Sequence, residues 1–140
     1  PETAQRFQYG PWSWPLVHAW AASLDWLTDV GTEAIWARVC KLTERLKAGL
    51  VDIDGIELHT PRSSGASAAL VSFGLHGWSG ANLASALREH WNIVIKPLPH
   101  SHEGLRASLP FYLLDGEIDL LLKAVRTLAG GGDASSRKYL

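Results

Sequence analysis

Between Leu16 and Leu50, apolar residues recur at intervals of three and four in two successive runs. These are Leu16, Trp20, Leu24 and Leu27, then Ile35, Val39, Leu42, Leu46 and Leu50. Such spacing returns each residue to one side of a 3.6-residue turn and predicts two amphipathic helices. Gly31 divides them where a glycine would release the last turn, and Thr32 precedes the second run. Arg38, Lys41, Glu44, Arg45 and Lys47 are expected on the solvent faces of the second helix. Two stripes of this kind need a further layer to cover them.

The rest of the chain supplies candidates for that layer. Residues 1–15 mix proline, glycine and aromatics without a period, which predicts an ordered extended arm, with Ser13 able to cap the first helix. Asp54-Gly55 turns into a short strand at 56–59, residues 60–65 are turn chemistry, and 68–75 reads as a buried strand. Gly77, Ser79 and Gly80 break that strand. A third helix follows from Ser79, with Leu83, Ala86, Leu87 and His90 on one face. Residues 92–98 are β-branched and apolar, Pro97 and Pro99 end them, and 105–109 should pair with them as a hairpin. Asp115 is expected to cap a last helix striped by Ile118, Leu121, Leu122, Val125 and Leu128, stopped at Gly130-Gly131-Gly132. The order helix-helix-β-β-α-β-β-α predicts an α+β domain over residues 16–129, with a small mixed or mainly antiparallel sheet covered by helices and a tail at 130–140.

Composition narrows the function classes. With 140 residues, 46% hydrophobic and 19% charged, the chain can bury its own core. Thirteen Lys+Arg against fourteen Asp+Glu leave a net charge of -1, without the basic excess on which nucleic-acid binding rests. No apolar run reaches the ~20 residues of a membrane helix, and no basic-apolar-small leader opens the sequence. Neither nucleic acid nor membrane is therefore an expected partner. Cys40 is the single cysteine, so no internal disulfide can form, which fits a cytoplasmic protein. Pro1 in place of a start methionine fits Met removal or a piece of a longer chain. Seven tryptophans are many for this length. Trp20 and Trp26 are expected to pack between the first helix and the sheet, whereas Trp12 and Trp14 are more open to docking.

Few residues promise chemistry. His100 and His102 would share a side of an extended segment but have no third ligand at a recognisable spacing, so a solvated loop is the expectation. No G-x-S-x-G elbow is present, and Cys40 in mid-helix reads as a packed thiol. The glycines of 74–80 could expose amides to an anion at a helix start, but their spacing favours a plain turn. Arg106 is the stronger candidate. Alternation sends Leu105, Ala107 and Leu109 to one face and Arg106 and Ser108 to the other. A strand-borne guanidinium there is either solvated or a planar clamp for a carboxylate.

Several segments together resemble the carboxy-terminal small domain of the class V aminotransferase family, whose pyridoxal-phosphate enzymes include cysteine desulfurases and isopenicillin-N-epimerase-like proteins. The run from Gly104 through Arg106, Ser108 and Tyr112 to Glu117-Ile118-Asp119 is similar to the family's closing R-x-S strand, Tyr-Asn-Thr turn and Glu-Ile-Asp helix start. Arg6-Phe7-Gln8-Tyr9-Gly10 resembles R-F-E-x-G-T, and Ala22 to Gly31 resembles the helix that follows it. Val71-Ser72-Phe73 matches the V-S-F strand.

The resemblance implies that Arg106 binds a substrate α-carboxylate with Ser108 assisting, and that Gly10 approaches the cofactor phosphate. Two departures stand out: Gly10 is followed by Pro11 instead of threonine, and Leu113-Leu114 replace Asn-Thr. It also implies that the Schiff-base lysine lies in a large domain upstream. None of Lys41, Lys47, Lys96, Lys123 and Lys138 matches that lysine. The expectation is therefore one part of an amino-acid-transforming pyridoxal 5'-phosphate enzyme, inactive as an isolated chain, in a homodimer or with a large-domain partner. The alternative is a free-standing, non-catalytic interaction or dimerisation module of the same descent.

Overall fold

The computed structural model describes residues 3–7, 10–63, 66–99 and 103–131. Tyr9, His100, His102 and the tail at 133–140 lie outside the described residues. Two compact units divide the chain, Pro1–Ile35 and Trp36–Leu140.

In the first unit, Ala4–Phe7 forms a 3-10 turn, so the amino-terminal segment is not extended there. Helix α1 spans Trp14–Val30, starting two residues before the apolar run, because Pro15 pre-sets the backbone of a first turn. Ser13 precedes it without a capping side-chain bond, and the Gly31 N–H closes the far end on the Leu27 carbonyl at 3.1 Å. Contrary to the sequence expectation, Trp20 and Trp26 are not packed away: they are 65% and 55% exposed, and no residue of α1 is buried. A helical period reports an apolar stripe; it does not say what covers it.

The second unit holds the core. Helix α2, Thr32–Val51, begins just before it and buries Val39, Leu42, Leu46 and Leu50, as the period predicts. Lys47 departs from that pattern, being 4% exposed instead of solvated. Its Nζ donates to the carbonyls of Pro61, Arg62 and Ser63 at 3.2–3.4 Å and to Ser67 Oγ at 3.0 Å. These acceptors replace water around the ammonium.

Strand β1, Ile56–Leu58, pairs antiparallel with β2, Leu70–Leu75. Helix α3, Gly80–Trp91, starts where expected, with the Ser79 side chain accepting from the Asn82 N–H. The strand expected at 92–98 shrinks to β3, Lys96–Pro97. Asn92 takes a left-handed conformation that ends α3, and the Ile93 N–H bonds back to the Leu87 carbonyl at 3.1 Å, holding Ile93 out of the ladder. Strand β4, Leu105–Ser108, pairs with β2 and with β3, both antiparallel. Helix α4 spans Asp115–Ala129 and buries the expected stripe. Asp115 is its first helical residue and not its cap: Leu114 occupies that position, and Glu117 Oε2 accepts the Leu114 N–H at 2.8 Å.

Among the described residues this is an α+β fold with a four-stranded, wholly antiparallel sheet in the order β1-β2-β4-β3. Val71, Phe73, Leu105 and Ala107 meet the stripes of α2, α3 and α4 in one core, so Arg106 and Ser108 project from the opposite face of β4. None of the described helices is long and apolar enough to cross a membrane.

Candidate functional site

The site is built on β4. Its burial alternates as the sequence predicts: Leu105 and Ala107 are buried, Arg106 half-buried and Ser108 exposed. Arg106 stands opposite Ser72 of β2 on one side and Lys96 of β3 on the other, and Ser108 stands opposite Leu70. The Arg106 Nε is buried and has no hydrogen-bond partner. Leaving a charged donor in that state costs more than a typical hydrogen bond contributes.

Arg106, Lys96 and Ser108 are among the residues lining a groove of about 580 Å³, which also takes in Glu117 and the core-facing Ala107 and Leu121. Two sets of contacts hold the elements around it. At the start of β4, the Glu103 carboxylate accepts the Gly80 N–H at 3.2 Å, and His59 Nε2 lies 3.0 Å from the Glu103 carbonyl. A carbonyl only accepts, so His59 carries its proton on Nε2. The start of α3 is thus engaged by the chain's own carboxylate.

At the start of α4, Arg38 donates to the Leu113 carbonyl at 2.6 Å and pairs with Asp115 at 2.6 Å. Arg45 grips Asp119 through Nε and Nη2 at 2.9 and 2.7 Å. The hydrogen bond from Arg38 holds the Asp115 carboxyl below the usual range, and that from Arg45 does the same for Asp119. Asp119 in turn raises Arg45. These pairs tie the wall carrying Leu113 and Glu117 to α2.

Arg106 and Ser108 therefore meet in one groove. Gly10 belongs to the first unit, with φ +88 and open space where a Cβ would stand. Cys40 is half-buried on α2. Among the described residues no three His, Cys, Asp or Glu side chains gather as metal ligands. The sequence reading missed Lys96 and Glu117. A glutamate three residues into α4 is a capping signal and could have drawn attention to Glu117. Lys96 follows only from strand register.

The family model described as aminotransferase class-V matches residues 2–121, which takes in both the groove and the segment around Gly10. The chain belongs to the class V aminotransferase family. It is 32% identical over 136 residues to a probable cysteine desulfurase of Synechocystis, covering 89% of this chain and 32% of that protein. It is 34% identical over 111 residues to the isopenicillin N epimerase of Streptomyces clavuligerus, covering 77% and 28%. Among solved structures, the apo cysteine desulfurase of Thermococcus onnurineus NA1 superposes with a TM-score of 0.83 at 24% identity over 94% of this chain and 35% of that one. A C-DES variant with glycine covalently linked to its PLP cofactor gives 0.76 at 23% identity, over 90% and 32%. At these identities the structures establish the shared fold. The chain spans about a third of the length of the curated relatives it matches.

Proposed function

We propose that this chain is the substrate-carboxylate-binding part of a pyridoxal-phosphate enzyme of class V that acts on an amino acid. The observation carrying the reading is a half-buried Arg106 that lines the groove beside Ser108, with its Nε lacking a hydrogen-bond partner. A guanidinium offers a carboxylate two parallel hydrogen bonds in fixed geometry, which orients the amino acid as well as binding it. Ser108, on the same strand face, adds a hydroxyl donor.

A seat for the cofactor needs a phosphate cradle, a partner for the ring nitrogen and a lysine for the Schiff base. The groove does not provide these. Its carboxylate, Glu117, is engaged with Leu114, and Lys96 is the one lysine that lines it among the described residues. Lys41 lies 3.8 Å from Asp115, and Lys47 is enclosed by carbonyls. The groove fits the carboxylate of the reacting molecule and not the cofactor itself. The Schiff-base lysine and main cofactor seat accordingly belong to a large domain outside these 140 residues. Gly10 is the residue of this chain that faces the cofactor phosphate. Its positive φ and missing side chain let a backbone N–H come close, while Pro11 has no N–H to add. The isolated chain is inactive, and the complete cytoplasmic enzyme works as a homodimer or with a large-domain partner.

The test is Arg106→Leu in the complete protein. Amino-acid affinity falls about 10–100-fold, the range expected for a lost charged hydrogen-bond pair. The absorbance band of the bound cofactor stays unchanged. Unaltered affinity refutes the role.

One observation favours a second reading, a non-catalytic interaction module. Helix α1 has no buried residue, and Trp12 stacks on Trp14 at 6.3 Å, both rings more than half exposed. Tryptophan is enriched where protein surfaces meet. Light scattering of the isolated chain over a range of concentrations separates the readings, since a dimerising module gains mass with concentration and a strict monomer does not.

A further inference from the structure

Arg106 has a second cation directly across the sheet. Lys96 is its partner in the β3–β4 register, and both line the groove. Residues paired across an antiparallel ladder point to the same face with Cβ atoms about 5 Å apart, and like charges so placed repel. A folded chain ordinarily relieves such a pair with a carboxylate. Here the ion pairs of the described residues involve Arg38, Lys41, Arg45 and His59, and neither Lys96 nor Arg106. Glu117 lines the groove as well and accepts the Leu114 N–H, but it is in none of these ion pairs. The remaining lining is mixed, with Trp91, Leu113 and Leu121 beside Asn92 and Glu117.

The two cations differ in kind and in place. Arg106 sits on β4, inside the sheet, and its half-buried planar fork suits one fixed carboxylate. Lys96 sits on the edge strand β3, exposed, with a flexible stem and a point charge that can follow an anion of variable length.

From this juxtaposition we infer that Lys96 is a second anion-recognition residue, and that the ligand is an α-amino acid whose side chain ends in another anionic group, a carboxylate, sulfinate or phosphate. The inference rests on the reading that Arg106 holds the α-carboxylate. Lys96 then selects among amino acids by the charge at the far end of the side chain, while Arg106 is indifferent to it.

The experiment is calorimetric titration of the complete cofactor-loaded protein with L-alanine, L-aspartate and O-phospho-L-serine. Wild type, Lys96→Gln and Arg106→Gln are compared, with circular dichroism verifying the fold of each. The expected result is that Lys96→Gln weakens aspartate, phosphoserine or both by about fivefold, the scale of a solvent-accessible ion pair, and leaves alanine unchanged. Aspartate and phosphoserine distinguish a carboxylate from a phosphate preference. Arg106→Gln weakens all three. If Lys96→Gln weakens alanine equally, or weakens neither aspartate nor phosphoserine, the role of Lys96 is overturned while that of Arg106 stands. If Arg106→Gln weakens none, the reading of the groove falls and this inference with it.

Discussion

Gly80, the first residue of α3, lies against the carbonyl of Gly104, the residue before β4, so closely that a Cβ on Gly80 would collide with that oxygen. Gly104 itself has φ +139, and a Cβ there would stand 2.5 Å from the Phe73 carbonyl oxygen. Helix start and strand start are thus locked together two residues before Arg106, with Glu103 bonded to the Gly80 N–H.

Gly80→Ala should therefore cost about 1–3 kcal/mol, the range for overpacking against backbone that cannot yield. Gly116→Ala is the contrast, because nothing lies within 4 Å of its Cβ position in the first turn of α4. Alanine there should stabilise by about 0.5–1 kcal/mol through a less flexible unfolded chain. Urea denaturation measures both, and effects of equal sign contradict the account of the lock.

Lys47→Met keeps the stem but removes the donor shared by the Pro61, Arg62 and Ser63 carbonyls and Ser67. The expected loss is about 1–3 kcal/mol, from acceptors left without a partner. Hydrogen exchange should rise first in residues 59–63, which approach β2 through the His59 and Thr60 N–H bonds to Ser72. Unchanged stability would mean that water substitutes fully for the ammonium.

Acid should release α4 from α2. Asp115 and Asp119 are held below the ordinary carboxyl range in the folded chain by hydrogen bonds from Arg38 and Arg45. A depressed folded-state pKa contributes stability that is present above the unfolded value, about 3.9, and lost as pH falls through the folded value. Asp115→Asn and Asp119→Asn should each lower Tm at pH 7, and the difference from wild type should disappear as pH drops well below about 4. A difference that persists at the acid end would assign the effect to packing instead of charge.

The sequence made the core legible because its signal is redundant. The stripes of α2 and α4 repeat over several turns, and the alternation of β4 fixes which face Arg106 takes. Where a single side-chain type decided the expectation, competing contacts prevailed. Asp115 suits a cap, yet Arg38 recruits it into an ion pair. Lys47 suits solvent, yet a turn of three carbonyls encloses it. Ile93, Val94 and Ile95 suit a strand, but the left-handed Asn92 keeps them off the ladder. The site was half legible: Arg106 and Ser108 follow from a local pattern, whereas Lys96 depends on a register between strands that no local pattern encodes.

The most direct measurement is the affinity of the complete protein for L-alanine against L-alaninamide, which differ in the carboxylate charge, in wild type and in Arg106→Leu. The account predicts that wild type prefers L-alanine by about 10–100-fold and that the substitution abolishes the preference. A preference that survives in Arg106→Leu would place the carboxylate elsewhere and contradict the central claim.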